Sequence, residues 1–328
     1  MKFSWKNQTR PILALAPMAG YTDSAFRRLS KEIEPRQICF TEFTSTDGIV
    51  YKSKNTLSQL DFDEVERPII MQIFGKRPAN FTEAASRLEE MGADAIDINM
   101  GCPAKKVVSS DHGSALLKNP KLAAEIVEAT VKGTSLPVSV KTRIGINQLD
   151  LPWFIQFCRD LESAGASLIT IHGRTTKQAY TGLADWEPIY AVKNALTIPV
   201  IGNGDVRSAK DALSKLKNLD GIMVGRATMG NPWLMREIAA ALYQDPKLED
   251  TSYQAPQTFA QKLPTLLRHC ELAVETKGEI RGMKEMRKHF VSALKGFTDA
   301  RKYRSEVVQI STLAQAREIL TQIAEIAE

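Results

Sequence analysis

Eight short apolar runs recur along the first two thirds of the chain, each followed by a polar or glycine-containing turn and a helical pattern. The runs begin at Ile12 (ILALAP), Gln37 (QICFTE), Ile69 (IIMQIFG), Ala95 (AIDINMG), Pro137 (PVSVKTR), Ser167 (SLITIHG), Ile198 (IPVIGNG) and Gly221 (GIMVGRA). Most are continuously apolar, which is typical of strands buried on both faces of a parallel sheet. The pattern therefore predicts an α/β fold built from strand–helix units.

The number of these units favours a closed barrel. Eight strand–helix repeats match the (β/α)8 TIM barrel. The competing architecture is an open doubly wound sheet, but its usual phosphate fingerprint, GxGxxG, follows none of the runs. We therefore predict a TIM barrel.

Several helix boundaries can be read from capping residues. Asp23 and Asp150 precede helical patterns, and a third helix is expected to begin at Asn80 or Thr82. Gly92 ends that helix, in the left-handed position that glycine adopts without strain.

A polar segment with two prolines separates the barrel pattern from a helical tail. Apolar residues recur at helical spacing after this segment up to the last residues. We predict three parts: a barrel domain over 1–244, a linker over 245–257 and a small all-helical domain over 258–328.

The composition is that of a soluble globular protein, with 43% hydrophobic and 25% charged residues. A formal net charge of +5 permits a polyanionic partner without requiring one. No apolar stretch is long enough to cross a membrane, and the N-terminus lacks the apolar run of a secretory signal. The four cysteines are scattered without a CxxC pair, so we expect free thiols, a cytoplasmic setting and no metal site.

Polar and small residues follow the strand runs, where the active site of a (β/α)8 barrel lies. Because all the strand ends meet at one rim, we expect these residues to converge. They are Pro17, Met18, Glu42, Gln72, Asn99, Cys102, Lys141, Arg143, His172, Arg174, Asn203, Asp205, Gly225 and Arg226. The GNGD and GRA segments after the last two runs suit a phosphate, although each is also compatible with an ordinary turn.

Cys102 differs from the other cysteines in its setting. Cys39 and Cys158 lie in an apolar strand and on an apolar helix face, as small buried hydrophobic residues do. Cys102 follows a strand end, between Gly101 and Pro103. A free thiol is mostly protonated near neutral pH, and no nearby histidine or second ligand favours a nucleophile or a metal ligand. We therefore interpret Cys102 as an acid.

Six motifs in fixed order carry a family resemblance. They are APMAGYTD from Ala16, DINMGCPAKKV from Asp97, GSALL from Gly113, ITIHGRT from Ile169, GNGD from Gly202 and GRA from Gly225. Together they resemble the tRNA-dihydrouridine synthases, most closely the bacterial B-type branch. The resemblance implies a flavoenzyme that binds FMN non-covalently, reduces the C5=C6 bond of a uridine in tRNA, and takes electrons from transiently bound NADPH.

The resemblance also implies roles for individual residues. Cys102 would donate a proton to C5 of the uracil, while hydride from the flavin reaches C6. FMN would contact Pro17, Met18, Ala19, Gln72, Lys141, His172, Asn203, Gly204, Asp205, Gly225 and Arg226, and the target base would contact Asn99, Arg143 and Arg174. The Lys141 ammonium would stabilise negative charge on the reduced flavin, although a structural pairing of Lys141 with a carboxylate is an alternative.

Basic residues at two places suit contacts with tRNA phosphates. Lys105 and Lys106 follow Cys102, and Arg287 and Lys288 lie in the tail. Solvated surface charges are the alternative for both pairs.

The tail departs from the family pattern at one point. Members often carry a Trp-Tyr pair shortly after Arg-Lys-His, where this chain has Ser292 and Ala293. Aromatic packing or stacking is therefore not expected there.

Two other functions stay open at this point. One is an FMN-dependent dehydrogenase or reductase of free pyrimidines, of the dihydroorotate or dihydropyrimidine type, which shares the barrel and a loop cysteine. That function leaves the basic helical tail unexplained. The other is a non-catalytic RNA-binding protein on a decayed barrel, against which the intact rim residues argue. We expect a monomer.

Overall fold

The computed structural model describes residues 2–244, 256–295, 297 and 300–326. Its strands are β1 Ile12–Leu15, β2 Ile38–Phe40, β3 Thr44–Ser45, β4 Ile69–Phe74, β5 Ala95–Met100, β6 Val138–Arg143, β7 Leu168–His172, β8 Val200–Asn203 and β9 Gly221–Val224. All pair in parallel, and β9 pairs with β1 to close the sheet, while the two-residue β3 adds to β4 at the rim. The predicted TIM barrel is confirmed.

Helices surround the barrel and form the tail. The barrel helices are α1 Ser24–Ile33, α2 Thr46–Val50, α3 Lys54–Leu57, α4 Pro78–Glu90, α5 Lys105–Val108, α6 Pro120–Lys132, α7 Leu151–Ser163, α8 Glu187–Ala195, α9 Ala209–Leu216 and α10 Leu234–Leu242. The tail contains α11 Phe259–Lys277, α12 Glu279–Ala293, α13 Ala300–Val307 and α14 Leu313–Ile326. The helical tail was thus predicted correctly, whereas the linker 245–257 lies outside the described residues except for positions 256 and 257. Within the described ranges, no helix is both long and apolar enough to cross a bilayer.

The capping residues predict two helix starts and miss a third. Asp23 accepts the N–H of Phe26 at the start of α1, and Asp150 caps α7 in the same way. The expected start of α4 at Asn80 or Thr82 is wrong, because the helix begins at Pro78. Proline suits the first helical position, where its fixed φ is already helical and its missing N–H costs no hydrogen bond.

The barrel interior has an apolar part and a polar part. Alternate strand residues face inward, and the apolar ones form one buried cluster with the indole of Trp5. Toward the carboxyl ends of the strands, the strand register places Gln72 beside Asp97 and Asp97 beside Ser139. All three side chains are fully buried. A polar layer therefore underlies the rim of the barrel.

The tail docks on α1 of the barrel. Ala25 and Leu29 of α1 share a buried apolar cluster with α11, α12 and α14. Beside this cluster, the rings of His269 on α11 and His289 on α12 lie 4.5 Å apart between centroids. Burial lowers the pKa of His269 to about 4 and that of His289 well below its usual range. The interface between barrel and tail therefore contains two neutral imidazoles.

We expect His269→Gln to reduce the acid sensitivity of the fold. In the unfolded chain His269 binds a proton below about pH 6.5, whereas in the folded protein it does so only near pH 4. The unfolded state therefore gains protons first as the pH falls, and this one group removes about 2 kcal/mol of unfolding free energy between pH 7 and pH 5. Urea unfolding at both pH values checks this.

The half-buried His112 provides the control. Between pH 7 and pH 5, the unfolding free energy of His112→Gln should fall nearly as much as that of the wild type. Equal losses in the wild type and in His269→Gln would contradict the prediction.

Candidate active site

A cavity of about 920 Å³ opens at the carboxyl ends of the strands. Most of the predicted rim residues line it: Pro17, Met18, Ala19, Asn99, Cys102, Lys141, Arg143, His172, Asn203, Gly204, Asp205, Gly225 and Arg226. Gln72 and Arg174 are buried outside its lining. The structure therefore brings the strand-end residues together at one site, as the barrel geometry predicts.

Two side chains shape the turn that carries Cys102. The Asn99 carboxamide oxygen accepts the N–H groups of Gly101 and Cys102, at 3.1 and 2.9 Å, and its nitrogen donates to Gln72 Oε1 at 2.9 Å. Arg143 Nε donates to the Gly101 carbonyl at 2.7 Å. Burial raises the pKa of the half-buried Cys102 thiol, which therefore stays protonated near neutral pH. The site presents a protonated thiol on a firmly held turn.

Lys141 faces the same cavity with few hydrogen-bond partners. Its ammonium donates to Asn203 Oδ1 at 3.3 Å and forms no ion pair with any carboxylate in the described part of the chain. The nearby Asp97 carboxylate instead accepts from Gln72 and Ser139, and burial raises its pKa to about 6. Burial, followed by the neighbouring Arg143, lowers the pKa of Lys141 to about 8. The geometry does not support the alternative of a structural lysine paired to a carboxylate, and the ammonium retains donors for a ligand.

His172, Arg174 and Asp205 form a hydrogen-bonded chain at the cavity wall, in which His172 and Asp205 line the cavity and Arg174 is buried behind it. Arg174 Nη2 lies 2.6 Å from Asp205 Oδ2, and Arg174 Nη1 lies 3.3 Å from His172 Nε2. A guanidinium only donates, so Nε2 accepts and the neutral imidazole carries its proton on Nδ1. Burial and nearby cations lower the pKa of His172 far below its usual range. The donors of Arg174 are thus used within the protein, and its contact with the base stays a prediction.

Arg143 and Arg174 also hold the loop 175–184 at the mouth of the cavity. The bonds run from Arg143 to the carbonyls of Thr175 and Ala179 and from Arg174 to those of Thr181 and Gly182. The loop presents Tyr180, which is 54% exposed and has the guanidinium carbon of Arg226 4.6 Å from its ring centre. Sequence reasoning missed Tyr180 because it stands in mid-loop rather than at a strand end.

The residues at the last two strands fit a phosphate-bearing cofactor such as FMN. Gly204 has φ +127°, and a Cβ there would lie 2.6 Å from the Ala184 side chain. Asp205 Oδ1 lies 3.4 Å from Nη2 of Arg226 and 3.7 Å from Nη2 of Arg207. The other oxygen of Asp205 pairs with Arg174. Three guanidinium groups around one carboxylate leave a net positive charge that suits a phosphate. Together with the Lys141 ammonium, which has one described hydrogen bond and retains further donors, this edge fits a flavin nucleotide.

The predicted RNA-contacting residues lie in different places. Lys288 lines a second cavity of about 1130 Å³ between the barrel loops and the tail, which adjoins the first at Ala19 and Phe43. Arg287 instead donates to the Ile310 carbonyl within the tail, at 3.0 Å. Lys105 and Lys106 are exposed on α5 and line neither cavity. The structure therefore separates the four basic residues rather than grouping them.

The departure from the family pattern at Ser292 and Ala293 falls in an interface. Both residues are buried, and a Cβ on Gly230 of the barrel would lie 2.4 Å from the Ser292 carbonyl oxygen. The backbones of barrel and tail thus approach closely here. These two positions pack the domains together and present no surface to RNA.

We expect Asp205→Asn to loosen the loop 175–184. The asparagine oxygen can still accept from Arg174 and Ala184, but the buried guanidinium loses its counter-charge. Hydrogen bonds to charged groups contribute about 2 kcal/mol, so the free energy of unfolding should fall by roughly that amount. Urea unfolding and tryptic cleavage at the exposed Lys177 measure the two effects.

Asp185→Asn is the matched control, because Asp185 is exposed next to the same loop and its carboxylate accepts only the N–H of Glu187 among the side-chain contacts described. It should leave stability and cleavage unchanged. Equal behaviour of the two variants would show that the ion pair does not hold the loop.

Comparison with known proteins shows the family to which the chain belongs. The dihydrouridine synthase (Dus) family model matches residues 14–328. Probable tRNA-dihydrouridine synthase 1 of Synechocystis is 38% identical over 310 residues, covering 94% of this chain and 84% of that protein. The tRNA-dihydrouridine synthase B of Pseudomonas aeruginosa is 38% identical over 296 residues, covering 90% and 87%. The resemblance noted in the sequence is confirmed, and the chain belongs to the dihydrouridine synthase family.

Proposed function

We propose that this protein reduces specific uridines of tRNA to 5,6-dihydrouridine, with non-covalently bound FMN and with NADPH as a transient reductant. The observation that carries the proposal is the meeting of the Cys102 thiol and the Lys141 ammonium in one cavity of about 920 Å³. Family membership supplies the reaction class. The absence of a GxGxxG segment from the sequence is consistent with a dinucleotide that docks only briefly.

The cofactor edge of the cavity would be formed by Lys141, Asn203, His172 and the glycine turns. Bound FMN would supply the hydride for C6 of the uracil. The Lys141 ammonium would stabilise negative charge on the reduced ring because it lines the cavity and makes a single described hydrogen bond. The Nδ1–H of His172 would add a neutral donor. Backbone N–H groups at Gly204 and Gly225, with the Arg226 guanidinium, would bind the phosphate.

Cys102 would act as the general acid. Its S–H bond breaks as a C–H bond forms at C5, and the resulting thiolate is reprotonated by solvent. Burial raises the pKa of Cys102, which keeps the proton available at neutral pH. Since Asn99 and Arg143 fix the turn, the thiol would be positioned before the substrate arrives.

The base must leave its stack to reach this depth, since a uracil inside folded RNA is inaccessible. Tyr180 at the mouth offers an exposed aromatic ring for stacking. Of the residues predicted to contact the base, Asn99 and Arg143 line the cavity and Arg174 lies behind its wall.

We assign tRNA binding to the region where the barrel domain (1–244) meets the helical domain (258–328), which the linker 245–257 joins. Lys288 forms no ion pair with a carboxylate in the described ranges, and its ammonium lies 5.5 Å from the ring centre of Tyr21. It is therefore available to a phosphate. We propose that the enzyme works as a monomer in the cytoplasm, where its tRNA substrate is found.

Cys102→Ala should retain FMN and tRNA binding and lose dihydrouridine formation. General acids contribute roughly 10² to 10⁴ in rate, so we expect at least a hundredfold decrease. Bound flavin absorbance and dihydrouridine measured in an unmodified transcript test the proposal. Cys158→Ala, which removes a buried thiol of α7, should stay active. Full activity in Cys102→Ala would remove the acid role, and a protein that cannot be loaded with FMN would refute the function itself.

Lys288→Ala should weaken tRNA binding and make it less sensitive to salt. Each phosphate contact contributes about 0.7 to 0.9 to the slope of log affinity against log salt concentration, so the slope should decrease by about that much. Filter binding between low and moderate salt measures it. The control is Lys132→Ala, at the far end of α6 near the amino ends of the strands, which should leave the slope unchanged. An unchanged slope in Lys288→Ala would exclude Lys288 from the tRNA surface.

A further inference from the structure

A buried carboxylate lies directly beneath the floor of the cavity, and the proposed chemistry does not use it. Asp97 is fully buried in the polar layer of the barrel, and both of its oxygens accept hydrogen bonds. Oδ2 accepts from Gln72 Nε2 at 2.7 Å, and Oδ1 accepts from Ser139 Oγ at 2.6 Å. A charge at this position costs desolvation energy. This cost indicates that the hydrogen bonds of Asp97 have a role that an apolar side chain could not fill.

The hydrogen bonds continue from Asp97 to the Cys102 turn. Gln72 Oε1 accepts from Asn99 Nδ2 at 2.9 Å, and Asn99 Oδ1 accepts the N–H groups of Gly101 and Cys102. Gln72, Asp97 and Asn99 are all buried. We call this series, from Asp97 through Gln72 to Asn99, the amide relay.

Both ends of the relay favour one direction of its hydrogen bonds. An ionised carboxylate only accepts hydrogen bonds, so the Gln72 amide must turn its NH2 group toward Asp97 and its oxygen toward Asn99. Asn99 must then turn its own NH2 group toward Gln72 and its oxygen toward the turn. Without the carboxylate, the orientation of both amides would depend on the two backbone N–H groups of the turn alone. A flipped Asn99 would direct N–H groups at the N–H groups of Gly101 and Cys102, and the turn would lose its cap.

We propose that Asp97 and Gln72 are positioning residues for Cys102, acting by fixing the orientation of the Asn99 amide. This inference rests on the acid role of Cys102 in the proposed function.

Three variants separate geometry from charge. Asp97→Asn can still accept from Gln72 through its oxygen and donate to Ser139 Oγ, so it preserves the direction of the relay. Asp97→Leu removes the acceptor, and Gln72→Met interrupts the relay at its middle with a side chain of similar length. Thr170→Val is the control, because Thr170 is a fully buried inward-facing residue of β7 whose hydroxyl has no hydrogen-bond partner among the described residues.

Two measurements are made on each FMN-loaded protein. The first is the alkylation rate of Cys102 by iodoacetamide, located by mass spectrometry, since Cys39, Cys158 and Cys270 are buried. The second is the reoxidation of dithionite-reduced protein by an unmodified tRNA transcript. We expect Asp97→Leu and Gln72→Met to keep their FMN. Reoxidation of the reduced protein by tRNA should slow at least tenfold, and the alkylation rate of Cys102 should change at least threefold. Asp97→Asn should stay within threefold of the wild type on both measures, and Thr170→Val should match the wild type.

Unchanged alkylation and reoxidation in Asp97→Leu or Gln72→Met would overturn the proposal. So would loss of FMN with unchanged alkylation, which would assign Gln72 to the cofactor. If Asp97→Leu fails to fold, Gln72→Met and Asp97→Asn still decide the matter. A wild-type protein that never reduces tRNA would refute the proposed function, whereas the alkylation rates would still test the relay because they need no substrate.

Discussion

Arg143 joins the two loops that bound the cavity, and the site depends on this one side chain. Its Nε bonds to the Gly101 carbonyl beside Cys102, and its Nη1 bonds to two carbonyls of the loop 175–184. It is 2% exposed. Because a planar guanidinium presents its donors in a fixed arrangement, the distance between the thiol turn and the Tyr180 loop is set by the shape of one side chain.

The positive charges around the cavity lower the pKa of neighbouring basic groups. Burial and the neighbouring Arg143 lower the pKa of Lys141 to about 8, and burial together with the charges of Lys141, Arg143 and Arg174 keeps His172 neutral. Among these groups the described carboxylate partner is Asp205, bonded to Arg174. This edge of the cavity is short of negative charge, so an anionic cofactor or a phosphate would relieve the repulsion that the loop anchors create.

The sequence predicts the barrel and most of the cavity lining for one physical reason. Parallel strands end at a common rim, so the residues after each apolar run meet regardless of loop details. The hydrogen-bond partners of those residues could not be predicted, because they come from distant segments. Arg174 was expected to bind a base, yet its donors bind the loop 175–184 and Asp205. Tyr180 was missed because it stands in mid-loop, where its position depends on those hydrogen bonds from Arg143 and Arg174.

The orientation of the basic residues in the tail could not be predicted from the sequence either. Arg287 and Lys288 are neighbours in a basic helix, but successive helical residues point in different directions, and only the docking on α1 decides which direction meets the cavities. Lys288 faces the barrel loops, whereas Arg287 bonds to the Ile310 carbonyl within the tail.

Polar groups at this site thus fall into two kinds. Those with partners inside the protein build the cavity, and those such as Lys141, Tyr180 and Lys288, which keep unused donors or an exposed face, are the ones that we propose a cofactor and an RNA contact.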